Sequence, residues 1–270
     1  MPIGSPLRGA SRLLIYVGLT LVLLPFYFVA LALRLQPVIR WMPVAYHRTV
    51  CFILGIKVRV HGTRSDVTPT LFVSNHVSYL DIEVMGGLVP GSFVAKAEVA
   101  TWPFFSTLAK AQRTIFIERS SGKTSASRDE MMKRLNTGDN LMLFPEGTSS
   151  DGTRVLPFRS ALFGVAQLRR DDKPIVVQPV AISYTRLDGI PLGRYWRPMF
   201  AWFGDLDLVP HLWQMVCLGE TEAVVTFFPP IDIDQFGDRK KLADHCFKQV
   251  SSGVQAANTG RLELLPDKAA

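Results

Sequence analysis

From Leu13 to Leu33 the chain runs for 21 residues without a charge. At 1.5 Å per residue that run is long enough to cross a bilayer core of about 30 Å. Few folds can absorb such a segment: it must be a helix buried in lipid or in protein, because its backbone needs internal hydrogen bonds. Arg8 and Arg12 precede it, and Arg34 and Arg40 follow. Positive charge on both flanks leaves its orientation open. Pro25 lies mid-run and predicts a kink, since it removes an N–H and crowds the preceding turn. A weaker apolar stretch, Val38 to Ile56, carries Trp41, Tyr46, His47 and Arg48 and suits an interfacial helix more than a second span. Residues 1–55 therefore read as a membrane anchor, either spanning or a hairpin dipping into one leaflet. The competing reading is a cleaved signal peptide with Ala30-Leu31-Ala32 as its site, although the run exceeds the usual apolar region of about 7–15 residues.

The remaining chain is long enough for one large domain. The whole 270-residue sequence has a mean hydropathy of +0.19, high for a purely soluble protein, and a net charge of +7 that calls for an anionic partner. A membrane surface or an anionic small substrate fits. Nucleic acid does not, because the basic residues are scattered and form no known module. Cys51, Cys217 and Cys246 are far apart, which argues against a disulfide framework or a zinc site and for reduced thiols in a cytosol-facing protein. No cluster has metal-ligand spacing, so no metal or other cofactor is expected.

From Ile56 onward strand and helix signals alternate. Strands are expected at 56–60, 71–73, 93–95, 115–117, 141–144, 175–177 with 180–182, and 224–228. Helices are expected at 79–88, 125–135, 161–169 and 239–250. This pattern predicts an α/β domain over 56–256, a mixed, largely parallel sheet flanked by helices. A loose polar segment should begin near Gly253, with 257–270 as a flexible tail. Tyr195 to Leu218 gathers Trp196, Phe200, Trp202, Phe203 and Trp213 behind Arg194 and Arg197. That composition suits a membrane-interface belt or, equally, an insertion covering the core.

Two short stretches carry chemistry. In the first, Val73 closes an apolar strand, Ser74-Asn75 break it, and Ser78-x-x-Asp81 resembles a capping box opening a helix. His76 and Asp81 are five residues apart, about 140° around a helix, so they meet only if His76 lies in the turn and Asp81 in the first helical turn. Such a pair makes a general base, the carboxylate fixing the tautomer and stabilising the imidazolium. The bland alternative is a helix cap beside an ordinary turn histidine. In the second, the strand Leu141–Phe144 stops at Pro145 and is followed by Glu146-Gly147-Thr148-Ser149. It presents a carboxylate and backbone N–H groups at the sheet edge where α/β enzymes hold ligands.

Together, Asn75-His76-(four residues)-Asp81 and Phe144-Pro145-Glu146-Gly147-Thr148 resemble the motifs of the membrane glycerolipid acyltransferase family. Lys96-Ala97-Glu98, Ile115 to Arg119 and Gln178 to Ile182 are similar to further family blocks in the same order. The resemblance covers about residues 56–230, and a membrane-embedded helical hairpin is also a family feature. It implies that His76 is the base, that Asp81 orients it, and that Glu146, Gly147, Thr148, Lys96 and Arg119 bind substrate or order the site. Backbone N–H groups around Gly147 are candidates for stabilising the oxyanion.

One departure is informative. The lysophosphatidate branch of the family usually has arginine where this chain has Ser149. The stretch from Phe144 to Phe163 is instead similar to bacterial lyso-ornithine lipid O-acyltransferases, whose acceptor has no phosphate. Ser149, Arg154 and Arg159 become candidates for the acceptor head group, and lysophosphatidate remains an alternative acceptor. The resemblance further implies acyl carrier protein or acyl-CoA as donor, a lyso-lipid acceptor, and a place on the inner (cytoplasmic) membrane with the catalytic domain facing the cytosol. A lipid hydrolase and a non-catalytic membrane-binding module are the rival classes.

Overall fold

A computed structural model of the chain describes residues 4–102, 104–117, 124–170 and 172–264. Two long helices come first, α1 (Pro6–Ala32) and α2 (Gln36–Leu54). There follow β1 (Ile56–His61), β2 (Thr70–Ser74), α3 (Leu80–Gly86), β3 (Ser92–Lys96), α4 (Phe105–Ala111) and β4 (Ile115–Ile117). Next are α5 (Thr124–Asn136), β5 (Leu141–Leu143), a short hairpin of β6 (Arg169–Arg170) and β7 (Lys173–Pro174), β8 (Val176–Leu187) and β9 (Ile190–Pro191). The described chain closes with α6 (Leu208–Cys217), β10 (Thr221–Phe227) and α7 (Arg239–Thr259).

The main sheet has the order β1-β10-β8-β2-β5-β3-β4, with β9 folded back on β8. Only β8 with β10 and β8 with β9 pair antiparallel in it. The expected mixed, largely parallel sheet is therefore the one formed. Its centre follows from composition: β2 and β5 are buried along their whole length, as strands covered on both faces must be. Alternation then sorts their side chains. Leu71, Val73, Leu141 and Leu143 pack toward α5 and α7, while Phe72 and Met142 pack toward α3. β1 lies at the sheet edge, where Lys57 and Arg59 reach Glu220 and Glu222 at 2.8 and 3.4 Å, as its alternating apolar and basic pattern foretold.

Helix α1 is apolar but not free. Thr20, Tyr27 and Ala30 are buried, and Tyr16 and Leu23 line a cavity; these residues recur every three or four positions and form one face. The opposite face exposes Leu14, Leu21, Phe26 and Val29. The helix runs unbroken through Pro25. Its N-terminal end packs on α6, where the Arg12 guanidinium donates to the carbonyls of Val216, Leu218 and Gly219 at 3.1, 2.7 and 3.3 Å. Arg12 thus supplies donors and positive charge to the carbonyl end of α6. Helix α2 is locked to the domain through buried His47, whose ring nitrogens lie 2.7 Å from Glu83 Oε2 and 3.2 Å from Gln112 Oε1. Gly86 allows this approach, because a Cβ there would come within 2.4 Å of the His47 ring.

Several sequence expectations shift. The helix expected at 161–169 forms over Ser160–Gln167 and is of the tighter 3₁₀ type. The expected loose segment from Gly253 is instead the last turns of α7, where Gly253 is buried against Ala181 and Phe228. The absence of a side chain there signals close packing rather than flexibility. Helix α7 continues to Thr259, past the expected tail boundary at 257. Helix α4 had no clear sequence signal, and part of the aromatic stretch is the amphipathic helix α6.

Candidate active site

Because β2 and β5 are parallel neighbours, with Val73 opposite Leu143, the segments leaving their C-terminal ends emerge side by side. One carries Asn75 and His76, the other Pro145 and Glu146. Asn75 continues the work of its strand with its side chain: Nδ2 donates to Ile182 O at 2.9 Å and Oδ1 accepts Ile182 N–H at 2.8 Å. The amide imitates a backbone unit and holds the turn against β8.

That turn presents His76 beside the first turn of α3. His76 Nδ1 lies 2.8 Å from Asp81 Oδ2, the arrangement that the five-residue spacing required. The same oxygen accepts the N–H groups of Val77 and Ser78 at 2.7 and 3.0 Å. Tyr184 OH, on β8, donates to Asp81 Oδ1 at 2.9 Å. Burial first, and the Asp81 carboxylate second, hold the Tyr184 phenol well above its ordinary pKa, so it stays a donor. Asp81 is fully buried and accepts from four groups. An oxygen so surrounded accepts from Nδ1–H, which leaves the lone pair on Nε2. His76 stacks on Phe144, with ring centroids 4.4 Å apart. Only the reciprocal half of the expected capping box forms: Asp81 takes the Ser78 N–H, while Ser78 Oγ has no partner among the described residues.

Glu146 is buried behind this pair. Its Oε1 accepts His76 N–H at 2.9 Å and its Oε2 accepts Leu156 N–H at 3.1 Å. Burial pushes the carboxyl up to about 8, against the pull of those two bonds, and Asp81 adds to the rise. Ser150 N–H donates to His76 O at 2.8 Å, so the two motifs are tied from both sides. Gly147 takes a left-handed conformation, φ 70°, and its own N–H turns back to Phe144 O at 3.2 Å. The N–H groups of Thr148 and Ser149 have no acceptor among the described residues.

His76 opens on a cavity of about 320 Å³. Its walls are mostly apolar and come from α1, α2, α3 and α4. Lys96, Gly147, Thr148 and Ser149 of the expected site residues also line it. Glu146 does not; its carboxylate orders the loop. Ser149 Oγ donates to the carbonyl of Trp202 and so ties the aromatic insertion to the site. Arg154 and Arg159 are exposed and lie outside the cavity lining, although the Arg159 guanidinium approaches Gly147. Arg119 lies outside the described residues; β4, which leads to it, ends at Ile117 in the cavity wall.

Comparison with known proteins places the chain in a family. Residues 57–183 match the family model described as Acyltransferase. A lyso-ornithine lipid O-acyltransferase of Rhizobium meliloti is 42% identical over 85% of this chain and 80% of its own length. The chain belongs to the glycerolipid acyltransferase family. A lyso-ornithine lipid O-acyltransferase of Brucella abortus is likewise 42% identical, over 91% of this chain and 93% of that relative. The crystal structure of a 1-acyl-sn-glycerophosphate acyltransferase from Thermotoga maritima shares the fold, with a TM-score of 0.63 at 20% identity over 92% of this chain and 97% of that one. The protein is thus an acyltransferase that moves an acyl group onto a lyso-lipid, and its apolar N-terminal helix is consistent with membrane association.

Some of the acyltransferase site was not legible in its motifs. Tyr184 lies 103 positions beyond Asp81 and carries no local signal. Tyr79 sits inside the first motif and Phe144 inside the second, but neither spacing reveals that one lines the cavity and the other supports the His76 ring. Trp202 could be noticed only as part of an aromatic cluster.

Proposed function

We propose that this acyltransferase moves a fatty acyl group from an acyl thioester, carried by acyl carrier protein or CoA, to the hydroxyl of lyso-ornithine lipid. The observation that carries the chemistry is the His76–Asp81 pair at 2.8 Å, opening on an apolar cavity. His76 Nε2 takes the acceptor hydroxyl proton as the oxygen attacks the thioester carbonyl. Asp81, held by Tyr184 and two backbone N–H groups, stabilises the imidazolium. The N–H groups of Thr148 and Ser149 stabilise the oxyanion, in place of the Gly147 N–H, which is occupied in its turn. When the tetrahedral intermediate collapses, the C–S bond breaks and the imidazolium returns its proton to the leaving thiolate. Among the described residues no cysteine or serine stands as nucleophile beside His76, so transfer is direct.

The acyl chain occupies the apolar cavity, each buried CH₂ contributing about 0.8 kcal/mol. Lys96 and Thr148 face the acceptor, Glu146 orders the loop, and Arg119, in the block that resembles the family's substrate-binding one, serves the acceptor. The packed face of α1 supports a hairpin held in one leaflet rather than a free span, since its other face alone is left for lipid. Three buried, unpaired cysteines support a cytosol-facing domain on the inner membrane.

The assay is acyl transfer by purified, detergent-solubilised protein with labelled acyl carrier protein, offering lyso-ornithine lipid and lysophosphatidate separately. Turnover with lyso-ornithine lipid is expected. Turnover with lysophosphatidate alone would refute the acceptor assignment, and free fatty acid formed without any acceptor would support a hydrolase.

A further inference from the structure

Beside the catalytic pair the cavity has an aromatic corner. Tyr79, Trp102 and Trp202 all line it. The Trp102 and Trp202 rings lie 5.5 Å apart at 87°, and Tyr79 meets Trp202 at 6.1 Å and 62°. Rings so inclined meet edge to face, and all three border the same cavity.

The corner is held rigidly. Trp202 N–H donates to Val77 O at 3.0 Å, its indole N–H donates to Leu206 O at 2.8 Å, and its carbonyl accepts Ser149 Oγ. The Tyr79 hydroxyl lies 2.9 Å from His211 Nδ1. Burial keeps the Tyr79 phenol protonated and lowers the pKa of His211, so this support is uncharged at neutral pH. Glu98 also lines the cavity and has no hydrogen bond or ion pair through its carboxylate among the described residues.

Electron-rich rings lining a cavity that also carries a carboxylate, here Glu98 four positions before Trp102, are complementary to a cation. We propose that Tyr79, Trp102, Trp202 and Glu98 form the acceptor head-group site and that this site takes a primary ammonium. The proposal rests on the acceptor reading above and deepens it: the ornithine head group carries an amine and a carboxylate and no phosphate. Lys96, on the same cavity wall, takes the carboxylate end. Ser149 then has a definite part. An arginine at that position would lose the tie to Trp202 and bring a like charge toward the corner.

The test uses the full-length protein in mixed micelles with three acceptors: lyso-ornithine lipid, the same lipid with its side-chain amine acetylated, and lysophosphatidate. The variants are Trp102→Leu, Trp202→Leu and Glu98→Gln. Leucine keeps apolar surface but has no π face. The unsubstituted enzyme should prefer the free amine over its acetylated form by at least about tenfold in kcat/KM, as a cation held by two or three rings requires. Each tryptophan variant should raise KM for the free amine by about tenfold and shrink that preference, with kcat affected much less. Glu98→Gln, at an exposed position, carries little folding risk and should act in the same direction. Equal turnover of free and acetylated amine by the unsubstituted enzyme would overturn the ammonium site and leave the acceptor reading intact. Turnover of lysophosphatidate alone would overturn both. Equal losses on every acceptor, with weaker binding to anionic vesicles, would mean that the tryptophans are membrane contacts and would also overturn the site.

Discussion

Replacing Glu146 by glutamine isolates the group that joins the two motifs. The change is nearly isosteric, and Oε1 can still accept His76 N–H, but the amide NH₂ then faces Leu156 N–H, so one buried donor loses its acceptor. That loss alone costs about 1–3 kcal/mol at any pH. Titration adds a second, pH-dependent effect. Burial holds the folded-state carboxyl near 8, compared with 4.5 when unperturbed. Below pH 4.5 both folded and unfolded states are protonated and the group contributes no slope. Between 4.5 and 8 the unfolded chain gives up its proton while the folded chain retains it, so stability falls as pH rises, by about 1.4 kcal/mol per unit. Over three units the fall is about 4 kcal/mol, and at about 2–4 °C per kcal/mol it lowers Tm by about 10 °C relative to a chain without the carboxyl. Glu146→Gln is that chain. Thermal unfolding of both proteins in the same detergent at pH 5 and pH 8 should show the parent's advantage shrinking by this amount. A Tm difference independent of pH would refute the reasoning, because it would mean that the two N–H bonds cancel the cost of burial.

His76→Ala should lower acyl transfer by about a thousandfold while leaving vesicle binding intact, as read by single-turnover kinetics and flotation. Tyr184→Phe removes one donor from Asp81 with little change in volume; kcat should fall by about tenfold with KM nearly unchanged, and a rise in KM with kcat unchanged would contradict its positioning role. Asn75→Ala leaves the N–H and C=O of Ile182 without partners and should cost about 2–4 kcal/mol in denaturant unfolding. Gly86→Ala drives a methyl into the His47 ring and should destabilise by about 1–3 kcal/mol, with faster proteolysis of the α1–α2 connection if that contact seats the hairpin.

The alternation of apolar runs and breakers determined the sheet strands, and β4 matches its expected limits of 115–117. Strand propensity and two-sided burial are local properties of composition, so they can be read locally. The His76–Asp81 contact was also local: five residues and a turn constrain it by chain geometry alone. The uncharged run from Leu13 determined a long helix. What it packs against was not local. Arg12 reads as a flank of a membrane span, yet its donors meet carbonyls more than 200 positions away, at the end of α6.

Tertiary structure decided everything that depends on which strands are neighbours. The order β8-β2-β5 brings Tyr184 to Asp81, Ile182 to Asn75 and Glu146 to the His76 backbone. No spacing in the chain encodes these meetings, because each joins segments 70 or more positions apart whose approach is fixed only when the central strands pair. The same holds for Ser149. Its side chain alone is a small hydroxyl that could contact a head group. Its bond to Trp202, which turns that departure from arginine into a tie for the aromatic wall, exists only because the insertion between β9 and α6 folds back over the turn that carries His76.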